Sequence, residues 1–183
     1  MALMALLPLV FLSGQQPTKG WRKFVSADGG YVAYFPEPWH VLAPDEPTLY
    51  VVNFPPSQRV RAVIRPDKGA SISITPAPNG MAGIEEWISH NFRSAEQQSK
   101  NPITLQTSDS KQQMPVTEVV WHEDSTGVVE EGVDCYFEIS KHLFLARLEY
   151  WKGDSSALHY REVLHQMVER TSLLQAKAAP GKN

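Results

Sequence analysis

Three consecutive residues, His122, Glu123 and Asp124, form the densest group of potential metal ligands in this sequence. In a turn, all three side chains could reach one metal ion. On a strand, neighbouring side chains point to opposite faces, so only His122 and Asp124 could converge. No spacing typical of zinc or calcium ligands supports a metal here. We therefore favour a polar hairpin loop that precedes residues 125–127.

A second group of potential ligands, His159, Glu162 and His165, lies in a segment with helical periodicity. Steps of three residues keep successive side chains adjacent on a helix, but the first and the last are about 120° apart around its axis. A single metal site is therefore difficult to build from them. The His-Glu-x-x-His motif of zinc proteases is absent.

Cys135 is the single cysteine of the chain, which excludes an internal disulfide framework and a cysteine-rich zinc site. It alternates with Phe137 and Ile139, as a small buried residue of a strand would. A nucleophilic thiol would need a nearby base and an exposed, electropositive setting, which the sequence does not indicate. We predict that Cys135 belongs to the core.

A basic cluster is formed by Arg59, Arg61, Arg65 and Lys68. Such a cluster could bind an anionic lipid or a protein partner, but we favour a solvated edge strand, where charges oppose aggregation. The whole chain has 17 Lys and Arg against 20 Asp and Glu, a formal net charge of −3. This balance argues against a protein that coats nucleic acid.

The sequence carries no phosphate-binding loop, no dinucleotide-binding glycine motif and no nucleophile elbow. It therefore predicts no catalytic residue, no cofactor and no metal site, and it favours a protein that is not an enzyme. We interpret the aromatic residues Trp21, Tyr31, Tyr34, Phe35 and Trp39 as core and turn anchors rather than as a base-stacking platform.

Two stretches rich in strand patterns, each followed by a helical pattern, must position these side chains. The predicted strands are 21–25, 31–35, 39–42, 48–54, 59–65, 70–75, 103–107, 115–122, 133–140 and 143–151. The last two form a hairpin that turns at Lys141 and His142, and we expect it to be central to the sheet. Two helices separated by antiparallel hairpins suit an α+β fold.

Each predicted helix has one apolar stripe. The first begins at Ile84 and leaves through residues 99–101 before Pro102. The second follows three potential N-cap residues, 154–156. The stripe residues are Ile84, Trp87, Ile88, Phe92 and Ala95 in the first helix, and Tyr160, Val163, Leu164, Met167, Val168, Thr171 and Leu174 in the second. We predict an antiparallel β-sheet flanked by these two amphipathic helices, an α/β/α sandwich.

The two ends differ from this pattern. Residues 2–12 are an unbroken apolar run, shorter than the ~20 residues that span a bilayer and similar to the ~7–15 of a secretory signal core. The alternative is a buried N-terminal helix or strand. We expect a signal peptide and mature N-terminal arm at 1–19, one domain at 20–174 and a flexible tail at 175–183. No cysteine follows the run, so no diacylglyceryl anchor is expected.

Local motifs resemble the PsbP-like superfamily. Residues 30–39, Gly-Tyr-Val-Ala-Tyr-Phe-Pro-Glu-Pro-Trp, are similar to the family's opening glycine, strand and Pro-x-x-Trp. Residues 71–74 and 84–87 resemble its strand leading into the first helix, and the closing hairpin with residues 168–173 resembles its C-terminal pair. The superfamily includes extrinsic photosystem II subunits, Ran-binding nuclear import factors and bacterial envelope proteins of the DcrB type, and it is mostly non-enzymatic.

Three functions remain as hypotheses. The first is a periplasmic or secreted, non-catalytic PsbP-like module that binds a protein or envelope partner, with membrane association but no transmembrane helix. The second is a ligand- or metal-binding protein, such as a hydrolase, that uses residues 122–124 or a pocket between sheet and helix. The third is a photosystem II accessory protein. A shared fold does not transfer function. The apolar N-terminus and the missing catalytic motifs of the sequence favour the first hypothesis.

Overall fold

The structure is a computed structural model, and it describes residues 19–28, 30–56, 69–92, 97–107, 110–125 and 128–174. Side chains of residues 97–107, 110–113, 124–125 and 128–129 lie outside this description. The predicted signal sequence, the C-terminal tail and the basic cluster of Arg59, Arg61, Arg65 and Lys68 also lie outside the described residues.

The described residues form ten strands and two helices. The strands are β1 (Trp21–Val25), β2 (Tyr31–Pro36), β3 (His40–Val41), β4 (Leu49–Val52), β5 (Ala70–Pro76), β6 (Gln97–Thr107), β7 (Ser110–Ser125), β8 (Val128–Ile139), β9 (His142–Trp151) and β10 (Ser172–Leu173). The helices are α1 (Ile84–Asn91) and α2 (Ala157–Glu169). The prediction of a mixed α+β chain with two helices is thereby confirmed.

The described strands belong to two antiparallel sheets rather than to one. Seven strands form the large sheet in the order β3-β4-β5-β9-β8-β7-β6, and three form the small sheet in the order β1-β2-β10. The hairpin of β8 and β9 is central to the large sheet, as predicted. The small sheet was not expected, because its last strand follows α2 and pairs with β2 across most of the sequence.

Side-chain alternation gives the large sheet two buried faces. We call them the α2 face and the α1 face, after the helix that covers each. The α2 face carries Val116, Cys135, Phe137, Ala146 and Leu148 in one core with Leu164 and Met167 of α2. The α1 face carries Val119, Tyr136 and Leu145, which pack against Trp87 and Ile88 of α1.

A helix is not the only cover of the α2 face. Tyr31 and Phe35 of β2 belong to the same core as α2, and Trp39 meets Tyr160 edge-on with ring centroids 6.4 Å apart. The predicted α/β/α sandwich of one sheet and two helices is therefore not confirmed, because β2 of the small sheet shares this side with α2. Trp39 acts as an apolar anchor after the turn at Pro36, as the sequence predicted.

The first helix is shorter than predicted. It ends at Asn91, and Phe92 is already extended, with φ −127° and ψ 115°. Residues 99–101, predicted as the helix exit, lie instead in β6, where Gln97 pairs with Val120. Pro102 does not end a helix but lies in β6, which has one neighbouring strand in the sheet. A proline is tolerated in such an edge strand, because no second neighbour needs a hydrogen bond from its missing N–H.

The second helix also ends earlier than its apolar stripe suggested. It begins after Ser156 and ends at Glu169, so Thr171 and Leu174 lie beyond it. Thr171 is buried and donates a hydrogen bond to the carbonyl of Met167 over 2.9 Å. The apolar pattern of the sequence continues past the end of α2 because β10 follows directly and pairs with β2 of the small sheet.

A tyrosine hydroxyl joins the two sheets. Tyr31 of β2 donates to the carbonyl of Ile74 over 2.8 Å and accepts from the amide of Leu49 over 3.0 Å. Tyr31→Phe should leave both buried backbone groups unsatisfied and lower the free energy of unfolding by about 2 kcal/mol. Denaturant unfolding measures this loss, and Tyr34→Phe on the opposite side of β2 is the control. Equal stability of both variants would contradict the bridging role.

The turn between β8 and β9 holds two residues in the left-handed region. Ser140 has φ 48° and Lys141 has φ 70°, so the turn lies at 140–141, one residue before the predicted Lys141 and His142. A two-residue turn of this kind favours Asn-Gly, because other residues are strained there. Replacing Ser140-Lys141 with Asn-Gly should raise the free energy of unfolding by about 1 kcal/mol. A fall in the midpoint of thermal unfolding would contradict this expectation.

Candidate functional site

His122, Glu123 and Asp124 lie in a strand, not in the predicted hairpin loop. β7 continues to Ser125 because residues 128–132 of β8 pair with it, including His122 with Glu131. His122 and Glu123 are exposed and point to opposite faces, while the side chain of Asp124 lies outside the description. The side chains of His122 and Glu123 therefore do not converge as they would in a turn.

The predicted helical group of His159, Glu162 and His165 is split by the structure. His159 Nδ1 lies 4.0 Å from Glu162 Oε2, and both side chains are largely exposed. His165 lies farther around α2, where its Nε2 is 2.9 Å from Oε2 of Glu118. His159 and His165 thus have different partners, in agreement with the angle of about 120° that the helical spacing predicts between them.

The residue that sequence reasoning missed is Glu118 of β7. Its side chain is only 4% exposed, and it lies on the α2 face, because Val116 and Val120 flank it at two-residue spacing. Arg161 and His165 of α2 both contact its carboxylate. The signal was present in the sequence, since Glu118 interrupts an alternating apolar series.

Cys135 is the register partner of Glu118 on β8. It is fully buried, as the alternation predicted, and burial raises the pKa of its thiol. The Sγ of Cys135, one carboxylate oxygen of Glu118 and one ring nitrogen of His165 all lie within 4.8 Å of one another. Among the residues that the structure describes, these three side chains have the mutual spacing expected of metal ligands.

The opposite face of the same strands carries an ion pair between partly exposed Arg147 and fully buried Asp134, which the sequence did not reveal. Arg147 of β9 donates to both carboxylate oxygens of Asp134, over 2.8 and 2.7 Å. Trp121 Nε1 and the Tyr136 hydroxyl also donate to this carboxylate, over 3.1 and 3.2 Å. Asn91 of α1 donates to the Tyr136 hydroxyl over 3.1 Å. The network joins α1 to three strands and has a structural role.

A groove lies between α1 and the α1 face of the large sheet. We call it the α1 groove; its volume is about 810 Å³. Its apolar lining comes from Met81, Ile84, Ile88, Pro115 and Leu143. The α1 groove is positioned by the hydrogen bond from the Ala77 amide to the Leu143 carbonyl, 2.9 Å long, which fixes the segment before α1 against β9.

Charged side chains border the α1 groove. Glu85 of α1, Glu138 of β8 and Lys141 of the turn line it, and all three are exposed. A second cavity of about 480 Å³ adjoins it and shares Met81, Lys141 and Leu143. The two form a concave surface around the tip of the β8–β9 hairpin, and Asp28 of the second cavity adds a third carboxylate to those of Glu85 and Glu138.

Neither helix in the described part of the chain has the length and hydropathy needed to cross a bilayer. No protein-family model matches this sequence. No curated protein matches it either.

Solved structures give matches at low sequence identity. A structure from Bacteroides thetaiotaomicron aligns with 85% of this chain at 12% identity and a TM-score of 0.53, and the chain spans 49% of that protein's length. The Ran-binding protein Mog1p of Saccharomyces cerevisiae aligns with 84% of this chain and 95% of its own, at 10% identity and a TM-score of 0.45.

The cyanobacterial PsbP (CyanoP) of Synechocystis sp. PCC 6803 aligns with 88% of this chain and 96% of its own, at 9% identity and a TM-score of 0.34. Matches at such low identities concern the fold alone.

Proposed function

We propose that this chain is a non-catalytic binding module of the PsbP-like type, exported to the periplasm or the cell exterior, where it binds a protein partner. The observation that carries the proposal is the α1 groove of about 810 Å³, with its apolar walls and charged border. Concave apolar surfaces with a few polar groups at their border are the usual form of binding sites.

The occupant is a short segment of the partner that places an apolar side chain against Ile84 and Leu143. Two carboxylates, on Glu85 and Glu138, face one ammonium group on Lys141 along the border. The border is therefore negative in balance, and a basic residue next to the apolar one complements it. Direct hydrogen bonds to a polar rim and a desolvated apolar centre are the general anatomy of such an interface.

Export is supported by the sequence. The apolar run at residues 2–12 has the length of a secretory signal core, and small and polar residues follow it at 13–18. Cell fractionation combined with N-terminal sequencing of the mature protein tests this part of the proposal. We expect an envelope or secreted fraction whose first residue lies near position 15. A cytoplasmic chain that begins at Met1 would contradict it.

Site-specific photo-crosslinking tests the binding site. A photoreactive amino acid replaces Ser89, which is exposed and lines the α1 groove. The matched control replaces Ser155, which is exposed beside the N-terminus of α2. Irradiation of living cells of the source organism should give one crosslinked protein from position 89 and none from position 155.

The crosslinked protein must also bind when purified. After identification by mass spectrometry, it should form a complex with the purified full chain, and the basic and apolar residues of its crosslinked segment should be required. Equal crosslinking from both positions, or a purified partner that binds without that segment, would contradict the proposed site.

A further inference from the structure

We propose that Glu118, Cys135 and His165 form a binding site for a thiophilic divalent cation of the zinc type, at the junction of α2 with the α2 face. This site is independent of the α1 groove, which lies on the opposite face of the large sheet. The site therefore stands or falls separately from the proposed partner binding.

The geometry of the three donor atoms is close to that of a zinc site. Their mutual separations are all within 4.8 Å, and the ligands of tetrahedral zinc, at about 2.0–2.3 Å from the metal, lie about 3.3–3.7 Å apart. Glu118 Oε2 and His165 Nε2 are 2.9 Å apart as a hydrogen-bonded pair. Metal binding at Nε2 requires the proton of the neutral ring to move to Nδ1, together with a small separation of these two atoms.

The backbone fixes two of the donors. Glu118 and Cys135 are directly opposite each other on β7 and β8, so their side chains leave the same face of the sheet side by side. Packing of α2 on that face brings His165 over them, because Leu164 and Met167 on the same helix are buried in the core below. Rigid strands and a packed helix therefore hold the donors before the metal binds.

The chemical types of the donors select the metal. A thiolate, an imidazole and a carboxylate suit zinc, whereas magnesium and calcium prefer oxygen ligands alone. Burial and the neighbouring Arg161 lower the pKa of His165.

Access to the site is from the solvent side of α2. Cys135 is fully buried and Glu118 nearly so, but the side chain of His165 is 35% exposed. A cation reaching the exposed edge of His165 meets the carboxylate next and the thiol last. Binding releases the Cys135 thiol proton to solvent, and a water molecule completes four-coordination at the open side.

Arg161 is the competitor of the metal. Its guanidinium contacts Glu118, and its side chain is 40% exposed, so it can turn outward into water. A cation at the site must displace it from the carboxylate, because two positive charges at this distance repel each other. The structure therefore assigns Arg161 the role of holding the metal-free site closed.

Metal titration of the purified full chain tests the proposal. After dialysis against a chelator, Zn²⁺ should bind in a one-to-one ratio by calorimetry and raise the midpoint of thermal unfolding. Co²⁺ in place of Zn²⁺ should give an intense thiolate-to-cobalt charge-transfer absorption, which reports ligation by Cys135. His165→Ala and Cys135→Ala should each lose the one-to-one binding.

His159→Ala is the matched control, since His159 is exposed on the same helix and outside the donor group. It should bind Zn²⁺ like the wild-type chain. Arg161→Gln should bind Zn²⁺ about tenfold more tightly, because the competing charge is gone. This gain distinguishes a metal site from a structural cluster, which would only lose stability. Circular dichroism confirms that each variant is folded.

Two results would overturn the proposal. One is a folded wild-type chain that does not bind Zn²⁺ or that gives no thiolate absorption with Co²⁺. The other is binding that survives in His165→Ala, which folds regardless of the buried Cys135 because its own side chain is partly exposed. If Cys135→Ala is unfolded, Glu118→Gln replaces it in the comparison.

Discussion

Replacement of Arg147 with methionine should lower the free energy of unfolding by about 3–5 kcal/mol. The side chain of Asp134 is fully buried, and Arg147 donates two hydrogen bonds to its carboxylate. Methionine fills a similar volume but leaves the carboxylate charged and without its cation. Two remaining donors, Trp121 and Tyr136, carry no charge and cannot compensate for it.

Equilibrium unfolding in urea measures this loss, followed by circular dichroism. Arg22→Met is the matched control, because Arg22 is an exposed arginine that also lies over an aromatic ring, with its guanidinium 5.1 Å from the centroid of Phe35. The control should change the free energy of unfolding by less than about 1 kcal/mol.

The double variant Asp134→Leu/Arg147→Met distinguishes the effect of losing the ion pair from the cost of leaving the Asp134 carboxylate buried without a cation. It should regain part of the stability, since an apolar pair of similar volume often replaces a buried ion pair without loss. A single variant Arg147→Met as stable as the Arg22→Met control would contradict the role given to this ion pair.

Replacement of Gly132 with alanine should lower the free energy of unfolding by about 3 kcal/mol. A Cβ at Gly132 would lie 2.1 Å from Cζ2 of Trp121, its partner across the β7–β8 ladder. The indole would have to leave its place on the sheet and would lose its hydrogen bond to Asp134. The glycine is therefore required by the close approach of the ring.

Urea unfolding and the tryptophan emission spectrum measure this effect together, because a displaced indole becomes more exposed to water. Gly83→Ser is the control: Gly83 has an extended backbone with φ 177° and open space around its Cα, and serine is a good N-cap residue for α1. The control should stay within a few tenths of a kcal/mol of the wild-type chain. A stable Gly132→Ala variant with an unchanged spectrum would contradict the explanation.

The sequence predicted the central hairpin and both helices because their apolar periodicities are strong and local. It did not predict the small sheet, since β10 finds its partner β2 through contacts remote in sequence. The sequence predicts a first helix that continues past Asn91 to an exit at 99–101, because proline is a common helix terminator. In the structure, Pro102 is tolerated at the open edge of the sheet.

The buried polar residues mark the other limit of prediction. Glu118 and Asp134 each stand in an alternating apolar strand, which is a sequence signal for a buried charge that needs a partner. The partners, Arg161 with His165 and Arg147, come from α2 and β9, and only the tertiary structure brings them together. The α1 groove likewise depends on how α1 packs against the tip of a hairpin 50 residues away in the chain.

The affinity of the purified partner for charge-reversed chains tests the proposed binding module most directly. Glu85→Lys/Glu138→Lys changes the border of the α1 groove, and Glu37→Lys/Glu162→Lys makes the same change of net charge at exposed positions elsewhere. We predict that the first pair weakens binding about tenfold or more and that the second leaves it unchanged. Equal affinity of the partner for both double variants would contradict the assignment of the α1 groove as its binding site.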